Sequence, residues 1–303
     1  MARAAPASTR AAEIVSFLTA HPARGFTISE LARHLGMNIA SAHATLAVLS
    51  DCGFVVRDPA HRTYVLGPAL AVTGFAAMEQ HPAIGAAIEQ ATGLAGQIGA
   101  EVGVMAAAGR DVVLLARRGP ALPASGAGYP GDRSPLLAPI GAVFMAWEGE
   151  EVITGWLERA ALSPPLADMY RRVLAEVRQR GFSVALPDMG APAVARAIGQ
   201  IRAEPADDSG EQELTDAQTL LGHERMILSF DGLAESAEVT FIAIAAPVFD
   251  PLGRALLSLY IAGSPRPVPV RRILELGGQL AEAAATATRQ ARGRTPAAAL
   301  RPS

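Results

Sequence analysis

Thr27–Phe54 reads TISELARHLGMNIASAHATLAVLSDCGF, and its punctuation decides the fold of the N-terminal part. Thr27 and Glu30 have the spacing of a capping box, in which each side chain takes a backbone N–H that the helix leaves unbonded. The helix they open ends at Gly36. Asn38 then caps a second helix, from Ile39 to about Ser50, with Ala42, Leu46 and Leu49 on its inward face. Two short helices joined by a tight glycine turn form a helix-turn-helix, the unit that lays its second helix in the DNA major groove. Yet Gly36 to Leu49 contains no arginine, lysine, aspartate or glutamate. The helix that would read DNA lacks the usual cations.

Upstream, TRAAEIVSFLTAH repeats apolar residues at helical spacing (Ala11, Ile14, Val15, Leu18), with Ser8 or Thr9 as the expected N-cap. Downstream, GFVVRD and TYVLG read as two strands joined across PAHR. Helix, helix-turn-helix and hairpin follow in the order of a winged head. A helix is expected over Gly67–Gln80 and another near Pro82–Ile98. Then come two β-rich runs, EVGVMAAAG and DVVLLARRG, and a loop, PALPASGAGYPGDRSP. Helices are expected over Val143–Leu157 and Ala167–Arg180, and a strand at FSVAL. Residues 187–224 read as an acidic flexible insertion with a short helix from about Asp216. MILSF, VTFIAIAAPVFD and RALLSLYIAG read as strands, the last two turning at Asp250-Pro251-Leu252-Gly253. VRRILELGGQLAEAAATATRQ closes the fold, and a disordered tail is expected from residue 293. Antiparallel strands between long helices indicate an α+β domain behind the head.

The 303 residues suffice for two domains, and half of them are hydrophobic. No uncharged apolar run reaches the roughly 18 residues of a membrane span, and the start lacks the pattern of a signal peptide. Cys52 is the only cysteine, which excludes an internal disulfide and fits a reducing cytoplasm. The formal net charge is −3, and every cation is arginine. Arginines and histidines gather in the head, whereas EPADDSGEQE is acidic, as expected for a DNA-binding head on a neutral body.

Enzyme motifs fail one by one. Gly126 to Gly131 matches G-x-G-x-x-G by spacing, but the prolines after it oppose the helix a pyrophosphate needs. His223-Glu224 begins H-E-x-x-H, but Ile227 stands where the second histidine belongs. A chain without lysine has no P-loop. No cofactor, metal ligand or catalytic residue is expected.

The layout, and AAPVFDPLGRALLSLYIAG above all, resembles the IclR family of bacterial transcriptional regulators, from about Ala11 to Arg289. Arg57, Asp58, Pro59, Tyr64, Leu66 and Gly67 match the family's R-D-P…Y-x-L-G wing. Ala245 to Asp250 with Gly253-Arg254 match its A-A-P-V-F-D…G-R hairpin. The resemblance implies a winged helix-turn-helix at 8–67, a linker helix at 68–82 and a GAF-like effector-binding domain at 83–292. It also implies a homodimer or homotetramer, a repressor or activator of transcription, and a small-molecule effector that changes operator binding.

Where the family helix reads L-P-K-S-T-V-H-R-L-L, this chain has Met37 to Leu46, so the family's lysine and arginine become Ile39 and Ala44. Phosphate neutralisation, which supplies much of such affinity, then falls to Arg10, Arg33, Arg57, His61 and Arg62, with Thr27 at the helix start beside them. Base contacts fall to Asn38, Ser41, His43 and Thr45, with Ala40 and Ala44 against thymine methyls. The expected partner is a pseudo-palindromic double-stranded operator bound by a dimer. The alternative is a ligand-binding or protein-interaction module that has lost specific DNA binding.

In the pocket that the resemblance implies, family polar positions fall on apolar ones. The segment before the family's G-K-A becomes Leu136 to Ala142, including Pro139 and Ile140, and the family cysteine becomes Ala243. The two polar positions of the last strand become Tyr260 and Ala262. A buried carboxylate needs hydrogen-bonding partners, so an apolar or aromatic ligand is expected, with the Tyr260 hydroxyl as one anchor.

Overall fold

The computed structural model describes residues 5–120, 130–187, 226–227, 233–264 and 266–296. The chain's main division falls between His81 and Pro82. Before it come α1 (Pro6–Ala20), β1 (Phe26–Thr27), α2 (Ile28–His34), α3 (Ile39–Asp51), β2 (Val55–Arg57), β3 (Thr63–Leu66) and α4 (Ala69–Gln80).

Neither Ser8 nor Thr9 caps α1. The helix starts earlier, at Pro6, whose fixed φ suits a first turn, and the Thr9 hydroxyl bonds back to the Ala5 carbonyl. The capping box forms as read: Glu30 N–H donates to Thr27 Oγ1 at 3.3 Å, and Thr27 N–H to Glu30 Oε2 at 2.7 Å. Gly36 takes the turn with φ +58°, a left-handed conformation that costs glycine little. Asn38 Oδ1 then accepts the Ser41 N–H at 2.7 Å and starts α3. Ile14, Leu18, Phe26, Leu31, Leu46, Leu49 and Val55 form the core of the head. β1 adds to the hairpin in the order β1-β3-β2. At two residues it is too short to show a period of its own.

After His81 come α5 (Pro82–Ile98), β4 (Val102–Ala108), β5 (Asp111–Arg118), β6 (Arg133–Pro135), α6 (Ala142–Met145), α7 (Glu150–Arg159), α8 (Pro164–Arg180) and β7 (Ser183–Pro187). Then follow β8 (Met226–Ile227), β9 (Glu238–Val239), β10 (Ala243–Phe249), β11 (Ala255–Ala262), β12 (Val268–Pro269) and a last helix, α9 (Val270–Gln290). Seven strands form one sheet in the order β6-β5-β4-β11-β10-β7-β8, every pair antiparallel. Strand alternation splits its side chains into two sets. Val104, Ile244, Ala246, Val248, Leu257, Leu259 and Ile261 pack with α5 and α9 through Ala91, Leu94, Ile273 and Leu280. On the opposite face, Val112, Phe249 and Ala255 pack with α6, α7 and α8 through Phe144, Trp156 and Leu174. Helices over both faces of an antiparallel sheet make an α+β domain, in agreement with the expected fold class.

Several boundaries differ from the sequence reading. The helix expected over Val143–Leu157 is two, because Gly149 adopts an extended backbone and becomes the N-cap of α7. VTFIAIAAPVFD is broken into β9 and β10 where Phe241 turns into the core and the Ile242 N–H donates to Ala185 O at 2.7 Å. Gly293 and Arg294, read as the start of a tail, are held by their N–H groups on Thr288 O and Asp250 O. The insertion from 188, residues 228–230 of MILSF, Gly126 to Gly128, His223-Glu224 and residues 297–303 lie outside the described residues.

Candidate DNA-reading surface and ligand site

The outer face of α3 is formed by Asn38, Ala40, His43, Ala44, Ala47 and Val48, all exposed, with Ile39 beside them at 58 % exposure. Residues 40, 43, 44 and 47 share one side of a helix by its 3.6-residue period. Of the predicted base-reading residues, Asn38, Ala40, His43 and Ala44 therefore share an outward surface. Ser41 and Thr45 are half-buried, and the Thr45 hydroxyl donates to the Ser41 carbonyl at 2.9 Å. Thr27 is committed to the capping box, its hydroxyl also donating to Glu30 Oε2 at 2.8 Å. Asn38 spends one oxygen on the cap, which leaves its amide N–H groups for other partners.

The cations divide. Arg33 is exposed at the end of α2, Arg10 is half-buried on α1, and Arg24 is paired with Glu30 at 3.1 Å over the Phe26 ring. In the wing, Arg57 and Arg62 are exposed, Arg62 with φ +56° at the turn. Asp58 shapes that turn by accepting the Ala60 N–H at 2.8 Å and the His61 N–H at 3.3 Å. Its carboxyl is held below the usual range, first by the hydrogen bond with the His61 ring at 2.7 Å and then by the Ala60 N–H. His61 thus faces a carboxylate, and the net positive charge of the wing comes from Arg57 and Arg62.

The predicted ligand-site residues fall in the second unit. Leu136 and Pro139 are buried and Ile140 is half-buried, with its carbonyl accepting Trp156 Nε1–H at 3.1 Å. Leu136 folds down onto Gly141, where φ is +86° and any β-carbon would overlap its methyl. Ala243 stands opposite Ala262, and Ala245 opposite Tyr260. The Tyr260 hydroxyl, expected to meet a ligand, donates to Glu101 Oε1 at 3.4 Å. Glu101 is 1 % exposed and is gripped by Arg117, from Nε to Oε1 at 2.9 Å and from Nη2 to Oε2. A buried carboxylate needs such a partner.

Sequence reasoning missed Glu101 and Arg117, which look like ordinary charges at strand ends. It also missed Ser258, a fully buried hydroxyl, and Trp147, whose Nε1–H is buried and whose ring packs edge-to-face with Phe249 at 5.0 Å between centroids. Neither polar atom has a hydrogen-bond partner among the described residues.

Residues 7–59 match the family model of the IclR helix-turn-helix domain. Solved structures resemble the whole chain. An IclR transcriptional regulator from Alicyclobacillus acidocaldarius aligns with a TM-score of 0.64 at 21 % identity, over 95 % of this chain and 100 % of that one. The IclR protein of Thermotoga maritima aligns at 0.57 and 18 % identity, over 95 % and 99 %. An IclR homologue from Microbacterium hydrocarbonoxydans, solved with 4-hydroxybenzoate, aligns at 0.60 and 16 % identity, over 94 % and 99 %. No curated protein sequence matches the chain.

Proposed function

From a chain that carries an IclR helix-turn-helix domain and has the fold of IclR-type transcriptional regulators, we propose a DNA-binding transcriptional regulator whose operator binding is modulated by a small metabolite. In this reading residues 8–67 bind DNA, 68–82 link, and 83–292 bind the effector. The observation that carries it is the outward face of α3, capped at Asn38 and bare of charge, in the same unit as a wing that presents Arg57 and Arg62. Asn38 and His43 read base edges and Ala40 and Ala44 meet thymine methyls, while Arg33 and the wing neutralise phosphates.

The reader acts as a homodimer on a pseudo-palindrome, with half-sites one helical turn or a multiple of it apart. Support for self-association comes from α4, where Val72 and Phe75 are about 70 % exposed and Met78 41 %. No described helix is long and apolar enough to cross a membrane, and the site of action is the cytoplasm. The effector is rather apolar, because the sheet face under α6 is lined by Met105, Ala107 and Ala245. The solved complex of the Microbacterium protein with an aromatic ligand supports a ligand site in this fold.

Selection of bound sequences from a random duplex library at fixed salt tests the proposal. Recovery of a two-fold-related sequence supports it. Recovery of nothing above scrambled DNA favours the second reading, an interaction module without operator specificity, which the uncharged α3 face motivates.

A further inference from the structure

We infer that the effector is a neutral molecule with a hydrogen-bond acceptor, received by the Ser258 hydroxyl and the Trp147 indole N–H. The inference rests on the regulator reading of the second unit and names the chemistry of its ligand site.

Alternation along β11 fixes the direction of Ser258. Leu257, Leu259 and Ile261 belong to the core under α5 and α9, so Ser258, Tyr260 and Ala262 face the other way. The two faces are filled differently. Under α5 and α9, Ile244, Ala246, Val248 and Leu259 are all fully buried. On the opposite face the cross-strand neighbours are small or flexible: Met105 and Pro247 beside Ser258, Gly103 and Ala245 beside Tyr260, Ala243 beside Ala262. Met105, Ala107, Ala243 and Ala245 remain only half-buried there, although they lie in the middle of a sheet. Trp147 follows α6, which packs on β10 and β11, and its ring stands against Phe249 on that same face.

Two buried polar atoms in one layer without partners among the described residues are unusual, since buried polar groups are nearly always hydrogen-bonded. An indole N–H only donates, and a serine hydroxyl donates or accepts. Their common complement is an acceptor such as a carbonyl or ether oxygen. Arg117 is already committed to Glu101, the buried carboxylate that Tyr260 also reaches. A ligand carboxylate would find that cation taken, and burying a carboxylate unpaired is costly.

Calorimetry on the full chain with three matched probes tests this: acetophenone, ethylbenzene without the acceptor, and benzoate with the charge. Acetophenone is expected to bind at least about tenfold more tightly than either of the others. Ser258→Ala and Trp147→Phe are each expected to weaken acetophenone by about three- to tenfold, the worth of one hydrogen bond, and to leave ethylbenzene unchanged. Benzoate binding as well as acetophenone, both variants binding it unaltered, or no binding by any probe overturns the inference. Running the duplex selection on the same preparation separates the failures. An operator recovered without acetophenone binding sinks the ligand chemistry alone, whereas acetophenone binding without an operator sinks the regulator reading alone.

Discussion

Tyr260 and Gly103 are cross-strand neighbours that share one space: a β-carbon on Gly103 would overlap the Tyr260 ring. The ring is thereby free to place its hydroxyl on Glu101. Gly103→Ala should push the ring away and destabilise the second unit by about 1–3 kcal/mol, the usual cost of overpacking. Tyr260→Phe keeps the ring and should cost about 0.5–1.5 kcal/mol. Urea denaturation of both variants checks the order. A larger loss for Tyr260→Phe would mean that the hydroxyl, not the space, dominates.

The two caps of the head should be separable from its DNA contacts. Thr27→Ala removes the capping box and should cost about 1 kcal/mol in stability, with little change in relative preference among DNA sequences. Asn38→Ala should cost a similar amount and also relax base preference, because its amide lies on the exposed face of α3. Thermal melts and binding to selected against mutated duplexes distinguish the two.

Removing a wing arginine should weaken binding to all duplexes alike. For Arg57→Ala and Arg62→Ala, the slope of log K against log salt should fall by about 1 each. His43→Ala should leave the slope unaltered and change which sequence wins. Titrations at several salt concentrations measure both. A wing variant with an unchanged slope would place the phosphate contacts elsewhere.

Acid should loosen the head through His34. Burial of its ring lowers its pKa below the ordinary 6.5, and Arg33, His21 and Arg24 push the same way against Glu30. The ring stacks on Phe17, and Nε2 is buried without a hydrogen-bond partner among the described residues. Well above pH 6.5 the group is neutral folded or unfolded and leaves stability unchanged. Below 6.5 the unfolded chain takes the proton first, so stability is lost as pH falls toward the folded value. Proton NMR of His34 should show a midpoint below 6.5, and His34→Phe should flatten part of the acid loss in urea titrations. A midpoint at 6.5 would remove the effect, and one above it would reverse the sign.

Residues 71–80 of α4 are exposed throughout, so a charge there should leave the head folded. Phe75→Glu should convert a dimer to monomer in sedimentation and weaken operator binding by at least tenfold. A variant that remains a dimer would move the interface elsewhere.

Much of the head was legible in the sequence because its signals are local. Thr27 and Glu30, Gly36, and Asn38 before Ile39 each act within four residues, and the structure uses them as read. α9 likewise follows its apolar period from Val270 to Gln290. The sequence was less informative where a residue's fate depends on a partner far along the chain. Gly149 could have continued a helix, and only the packing of α6 and α7 made it an N-cap.

By itself the sequence determined the winged head, the long strands of the second unit and the uncharged face of α3, because capping, turn and period act between near neighbours. Only the tertiary structure decided what those strands present. Period alone says that Ser258 and Leu259 face opposite ways, but not which side the long helices cover. Nor does it say that Tyr260 reaches back 159 residues to Glu101. Such pairings are set by sheet order and register, which bring distant residues together at no fixed spacing in the chain.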